Sequence, residues 1–132
     1  MKVTELKQYS VFMPNKPGAL SALTERFGDA GVNILGIASE VREDSALVRV
    51  AVEQELECSA VLSKAGYASV EGRLLSLELD DRPGSFGDIT KKLSSGGVNI
   101  TTVYGSSAGG NTTRILISVE DTDKALKLLN GA

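Results

Sequence analysis

Gly31-Val32-Asn33-Ile34 recurs letter for letter as Gly97-Val98-Asn99-Ile100, and Lys16-Pro17-Gly18-Ala19-Leu20 recurs as Arg82-Pro83-Gly84-Ser85-Phe86. Both pairs share one offset, 66 residues (97 − 31 and 83 − 17), which is half of the 132-residue chain. A fixed internal offset of this kind means that one supersecondary unit has been copied, so the fold is read once and applied twice.

Tyr9, Val11 and Met13, like Leu75, Leu77 and Leu79, alternate with other residues at the two-residue period of a strand. Leu20, Leu23 and Phe27, matched by Phe86, Ile89 and Leu93, are spaced three and four apart, as on the buried stripe of a helix. Gly31 and Gly97 suit the left-handed position that ends a helix, and Val-Asn-Ile is expected to open a second strand. Glu40–Ser45 and Gly105–Asn111 read as turns, and Ala46–Glu53 and Thr113–Glu120 as third strands. Cys58, Val61, Leu62 and Ala65, then Ala125, Leu128 and Leu129, mark a second helix in each copy. Ala68–Gly72 is available as a fourth strand of the first copy. The second copy has no segment after its last helix, so its fourth strand is expected from residues 2–6 or from a partner chain, because an unpaired sheet edge invites capture. The expected modules are residues 1–66 and 67–132.

The two strand-to-helix junctions, Asn15-Lys16-Pro17-Gly18 and Asp81-Arg82-Pro83-Gly84, combine a residue able to cap a helix, a proline pre-set for the first turn and a bare glycine. They are complete as plain helix starts. They also suit a ligand, because a helix N-terminus offers unpaired N–H groups and the positive end of the macrodipole to a carboxylate. Asn33 and Asn99 present donors and an acceptor at the start of an apolar strand, where asparagine is a poor strand former. A side chain bonded to its own turn is the plainer account of them.

With these motifs in this order, twice, the chain resembles the ACT domain family over essentially its whole length. It is most similar to the regulatory domain of phosphoglycerate dehydrogenase and to the acetolactate synthase regulatory subunit. The resemblance implies an α+β fold of two tandem ferredoxin-like βαββαβ modules, with antiparallel sheets and helices on one face. It also implies modules paired side by side, with an amino acid bound between them. Carried over, the ligand-binding residues are Asn15, Pro17, Gly18, Ala19, Leu20, Asn33 and Ile34 in the first copy, and Asp81, Pro83, Gly84, Ser85, Phe86, Asn99 and Ile100 in the second. The implied composite sites join Asn15 with Asn99 and Asp81 with Asn33. Asp81 departs from the family's loop asparagine. Met13 and Leu79 stand where the serine-sensing domain has a polar residue, which points away from serine and toward an apolar amino acid.

Composition narrows the functional classes. With a net charge of −3 the chain has no basic field for nucleic acid. No apolar run approaches the roughly 18 residues of a membrane span, and Met1–Gln8 lacks the apolar centre of a signal peptide, so a cytoplasmic protein is expected. One cysteine and no histidine exclude the familiar thiolate and imidazole metal sites and an internal disulfide. Without histidine, general-base catalysis would fall to carboxylates, and Glu53, Glu55 and Glu57 read as a solvated acidic stretch. Cys58 reads as a small buried hydrophobe. No lysine with serine or threonine follows the glycines of 105–110, so no phosphate loop is read there. The expectation is a non-catalytic regulatory protein that needs no cofactor or metal, with an amino acid as ligand and a homodimer as its assembly. The alternative is a regulatory interaction subunit of a metabolic enzyme that binds no ligand of its own, for which the apolar phase of Phe12, Leu47 and Ala51 speaks. A ferredoxin-like hydrolase, such as an acylphosphatase-like one, is the least favoured alternative, because a fold does not by itself imply a function.

Overall fold

The computed structural model describes residues 1–107 and 110–130, with nothing stated of the side chains of 106 and 107. Its elements are β1 (Lys2–Pro14), α1 (Ala19–Asp29), β2 (Gly36–Arg42), β3 (Ser45–Glu53), α2 (Ser59–Lys64), β4 (Ala68–Asp80), α3 (Ser85–Ser95), β5 (Ile100–Ser107), β6 (Thr112–Val119) and α4 (Thr122–Leu129). They fall into two compact units, Leu6–Gly72 and Met1–Glu5 with Arg73–Ala132. The divisions lie inside β1 and β4, so each of these 13-residue strands contributes to both units.

In the first unit the strands run β2-β3-β1-β4, with β1–β3 and β2–β3 antiparallel. The alternation of the sequence sets the faces. Tyr9, Val11 and Met13 of β1 and Val48, Val50 and Val52 of β3 are buried in one core with Leu23 and Phe27 of α1 and with Cys58 and Leu62. Full burial of a side chain such as Phe27 or Leu23 contributes about 1.5–3 kcal/mol, so this row of contacts fixes the strand register as well as the helix docking. The α1 C-terminus closes as a left-handed cap: Gly31 has φ 73, its N–H donates to Gly28 O at 3.0 Å, and Val32 N–H donates to Phe27 O at 2.9 Å.

Two segments depart from the pattern expected of the sequence. Val32–Leu35 is not strand, because the chain joins the ladder only when Leu35 N–H reaches Ala51 O at 2.8 Å, and β2 begins at Gly36. The turn read at Glu40–Ser45 shrinks to Glu43 and Asp44, with Glu43 at φ 56, because Glu40 and Arg42 still pair with Leu47 and Ser45.

In the second unit the order is β1-β4-β6-β5, and Leu75, Leu77, Leu79, Ile89, Leu93, Val98, Ile117, Ala125 and Leu129 form its core, with Val3 packed against it. Gly97, at φ 79, repeats the left-handed cap, with Val98 N–H on Leu93 O at 2.9 Å. Here the strand begins close to the expected point, at Ile100. Asp121 caps α4 through Lys124 N–H at 3.1 Å. The turn read at Gly105–Asn111 includes residues 108 and 109, which lie outside the described residues, and β5 runs through Ser107. Among the described residues no helix is long and apolar enough to cross a membrane.

Candidate functional site

At the end of β1 the chain turns through Asn15-Lys16-Pro17-Gly18 into α1, and the capping expected of Asn15 does not occur. The N-cap is Gly18, left-handed at φ 86, and no side chain caps the helix. Asn15 is held elsewhere. Its N–H donates to Asp44 O at 2.8 Å and its Nδ2 donates to Glu43 O at 3.0 Å, tying the end of β1 to the β2–β3 turn. The second loop repeats this arrangement, with Gly84 as the uncapped N-cap at φ 84 and Asp81 N–H on Asn111 O at 2.9 Å. A Cβ on Gly18 or Gly84 would meet nothing within 4 Å, so backbone conformation rather than crowding calls for glycine. In both loops the N-cap is a glycine with no side chain to cap the first turn, at the positive end of an 11-residue helix.

Beside the first loop lies a cavity of about 120 Å³ lined by Met13, Pro14, Asn15, Lys16, Ala19 and Leu20, with Ser39 and Val41 of β2 and Ala46 and Val48 of β3. Its walls are mostly apolar. Its polar groups are the Asn15 amide, whose Oδ1 is left as an acceptor, the Ser39 hydroxyl and the Lys16 ammonium, which has no partner among the described residues. Leu20 is exposed there, at 47%. Pro17 and Gly18 are exposed on the loop outside the lining. Lys16, Ser39 and Val41 were not among the residues expected from the loop motif. The signal for the β2 pair was its strand phase, since Ile37, Ser39 and Val41 alternate toward the side that carries the helices.

The expected asparagines behave differently. Asn33 is exposed and Ile34 packs on the first core, and neither lines the cavity. The 11 residues of α1 separate Asn33 from its own loop by roughly 16 Å at 1.5 Å rise per residue, so one copy does not unite its two motifs. Asn99 is exposed, with its Nδ2 3.3 Å from Glu120 Oε1 and its carbonyl accepting Glu120 N–H at 3.0 Å. Ile100 packs on the second core, as does Phe86, which is half-buried where Leu20 is open. Ser85 is half-buried at the first position of α3, and Pro83 is exposed. Arg82 reaches Asp88 at 3.6 Å across the second loop.

The densest polar cluster lies elsewhere in the first unit. Tyr9 OH accepts from Cys58 N–H at 2.8 Å and donates to Glu71 Oε1 at 2.9 Å, with Glu57 Oε1 3.2 Å away, and Lys7 donates to Leu56 O at 2.9 Å and to Glu57 at 3.3 Å. Burial pushes the Tyr9 phenol and the Cys58 thiol above their ordinary values, which leaves neither poised for proton transfer near neutrality. Among the described residues no group of three His, Cys, Asp or Glu could hold a metal ion.

The fold has counterparts among solved structures. A Bacteroides thetaiotaomicron protein, BT0572, superposes with a TM-score of 0.85 at 23% identity, covering 97% of this chain and 88% of that one. The regulatory subunit of aspartate kinase from Thermus thermophilus superposes at 0.67 and 14% identity, covering 98% and 96%. Aspartate kinase from Clostridium acetobutylicum matches at 0.65 and 17% identity, covering 97% of this chain and 33% of the enzyme. At these identities the likeness is one of fold. No curated protein sequence matches closely enough to count as a relative. Residues 4–130 match the family described as the ACT domain pair, and the chain, with its two compact units, belongs to the ACT domain family as an ACT domain pair.

Proposed function

We propose that this ACT domain pair is a non-catalytic regulatory protein that binds a free amino acid, and that it works as a homodimer. The observation that carries the reading is the first loop, where an uncapped helix start, an unpaired Lys16 and an apolar cavity meet. The α-carboxylate would meet the first-turn N–H groups and Lys16, the α-ammonium Asn15 Oδ1, and an apolar side chain Met13, Leu20 and Val41. Asn33 and Ile34, and in the second copy Asp81, Pro83, Gly84, Ser85, Phe86, Asn99 and Ile100, belong to the proposal as the matching motif residues. The regulatory assignment draws further support from the aspartate kinase regulatory subunit of the same fold. The homodimer draws support from β2, which ends the first unit's strand order with Ile37 and Val41 exposed at 44% and 56%.

A thermal-shift panel of the twenty amino acids on the purified chain, repeated on Asn15→Ala and Asn99→Ala, tests the reading. An apolar amino acid at 100 times its Kd should stabilise the protein by about 2.7 kcal/mol, several degrees of Tm; the effect should be lost in Asn15→Ala, and its loss in Asn99→Ala too would support the implied composite site of Asn15 with Asn99. Silence across the panel would overturn ligand binding and leave an interaction subunit of a metabolic enzyme as the reading.

A further inference from the structure

The face of the first unit's sheet turned away from its core carries a row that the second unit does not repeat. Phe12 of β1 pairs with Leu47 of β3, which pairs with Glu40 of β2. At the equivalent strand positions of the second unit stand Glu78 and Arg114, a charged cross-strand pair of the kind a solvated sheet face selects. One fold therefore carries an ionic pair in one copy and a phenyl ring against a leucine in the other. Phe12 is 50% exposed, which water disfavours unless something covers the ring.

Phe12 and Leu47 floor a cavity of about 360 Å³, with Ala46 beside them and Glu40 and Arg42 at its polar side. The two charges are not equivalent. Glu40 is neutralised by Arg49 at 2.9 Å, whereas the Arg42 guanidinium has no partner among the described residues. Glu43 and Asp44 of the adjoining turn lie outside the lining. The cavity thus offers an apolar floor with one free, planar, bidentate cation at its edge, which is complementary to a carboxylate or another planar oxyanion. Its volume lies in the range of small-molecule sites, roughly 300–1,000 Å³, and so argues for a small molecule over a protein surface.

We propose that this cavity is a second ligand site, distinct from the loop site, that takes a small molecule with a carboxylate head and an apolar body. The head pairs with Arg42 and the body lies on Phe12 and Leu47. The site belongs to the first copy alone, so the duplication has diverged into one unit with two ligand surfaces and one without the second.

Titration of the ¹⁵N-labelled full chain with phenylacetate, followed by amide chemical shifts, tests this. Phenylacetate should move the amides of Phe12, Arg42 and Leu47 saturably, and Arg42→Gln, or phenylacetamide in place of the acid, should weaken binding at least tenfold. Three results would overturn the proposal. One is the absence of localised shifts, or shifts confined to residues 15–20, which would assign the acid to the loop site. Another is equal affinity for the amide and in Arg42→Gln. The third is movement of the Phe12 and Leu47 amides, which lie on β1 and β3 away from the β2 edge, on protein concentration alone, which would give the face to a second copy. Met13 and Ala46 border both cavities and serve neither readout; amino-acid binding at the loop is read at residues 15–20, so either site can fail without the other.

Discussion

The hydroxyl of Tyr9 lies 2.8 Å from the backbone nitrogen of Cys58, 49 residues further along the chain, and is the acceptor that this buried N–H finds. Tyr9 is fully buried and also donates to Glu71 at 2.9 Å, so one phenol joins β1, the start of α2 and β4 within the first unit. Tyr9→Phe keeps the ring but removes the acceptor. An unsatisfied buried backbone N–H costs about 1–3 kcal/mol, so urea denaturation should show the variant less stable by that amount, through a lower midpoint at an unchanged m-value. Equal stability would mean that the ring alone accounts for this residue.

Gly18 and Gly84 hold the same left-handed conformation at φ 86 and 84, with open space where a Cβ would go. Alanine at either position should therefore cost about 1–2 kcal/mol from backbone conformation alone, and asparagine less. Denaturation of Gly18→Ala, Gly18→Asn, Gly84→Ala and Gly84→Asn checks this. An alanine cost no larger than that of asparagine would mean that the loops relax out of the left-handed region.

Much of this was legible in the sequence because the duplication states each pattern twice. The alternation of Tyr9, Val11 and Met13 and the glycines at 31 and 97 carry strong, local physical signals and land where the periodicity puts them, whereas the expected helical stripe of Leu20, Leu23 and Phe27 buries only its last two members, Leu20 standing exposed in the first turn of α1. The capping of α1 was not legible. Asn15 is a good N-cap by type, but its amide is claimed by Glu43 O, 28 residues away, and no local rule weighs that competitor. Ser39 and Lys16 were missed for a related reason: a cavity wall is assembled from elements that only tertiary packing brings together. The identical Asn33 and Asn99 likewise hid different surroundings, since only Asn99 has an acid, Glu120, within hydrogen-bonding distance.

Two glycines of the second unit should respond to alanine in opposite directions. A Cβ on Gly105, in β5, would lie 2.5 Å from Arg114 O and 2.9 Å from Ile115 Cα, both of them backbone atoms that cannot swing aside. Gly87, inside α3, has nothing within 4 Å. Gly105→Ala should destabilise by about 1–3 kcal/mol, as overpacking does, while Gly87→Ala should gain up to about 1 kcal/mol through helix propensity. Paired thermal melts read the signs, and a stabilising Gly105→Ala would show that β5 and β6 separate more easily than their register implies.

Acid should weaken the first unit through Glu57. Hydrogen bonds from the Ser59 side chain and from Lys7 hold its carboxyl down at about 2, below the ordinary value of 4.5. A carboxylate depressed in the folded state contributes stability that is fully present above the unfolded value and is lost as pH falls through the folded one. The window for Glu57 is therefore about pH 4.5 down to 2. Asp123, lowered by its hydrogen bond from Arg73, acts in the same direction in the second unit. Glu57→Gln should lower Tm at pH 6, and its gap from wild type should close as the pH is brought to about 2. A gap constant from pH 6 to pH 2 would show that the charge on Glu57 is not what holds this corner of the first unit.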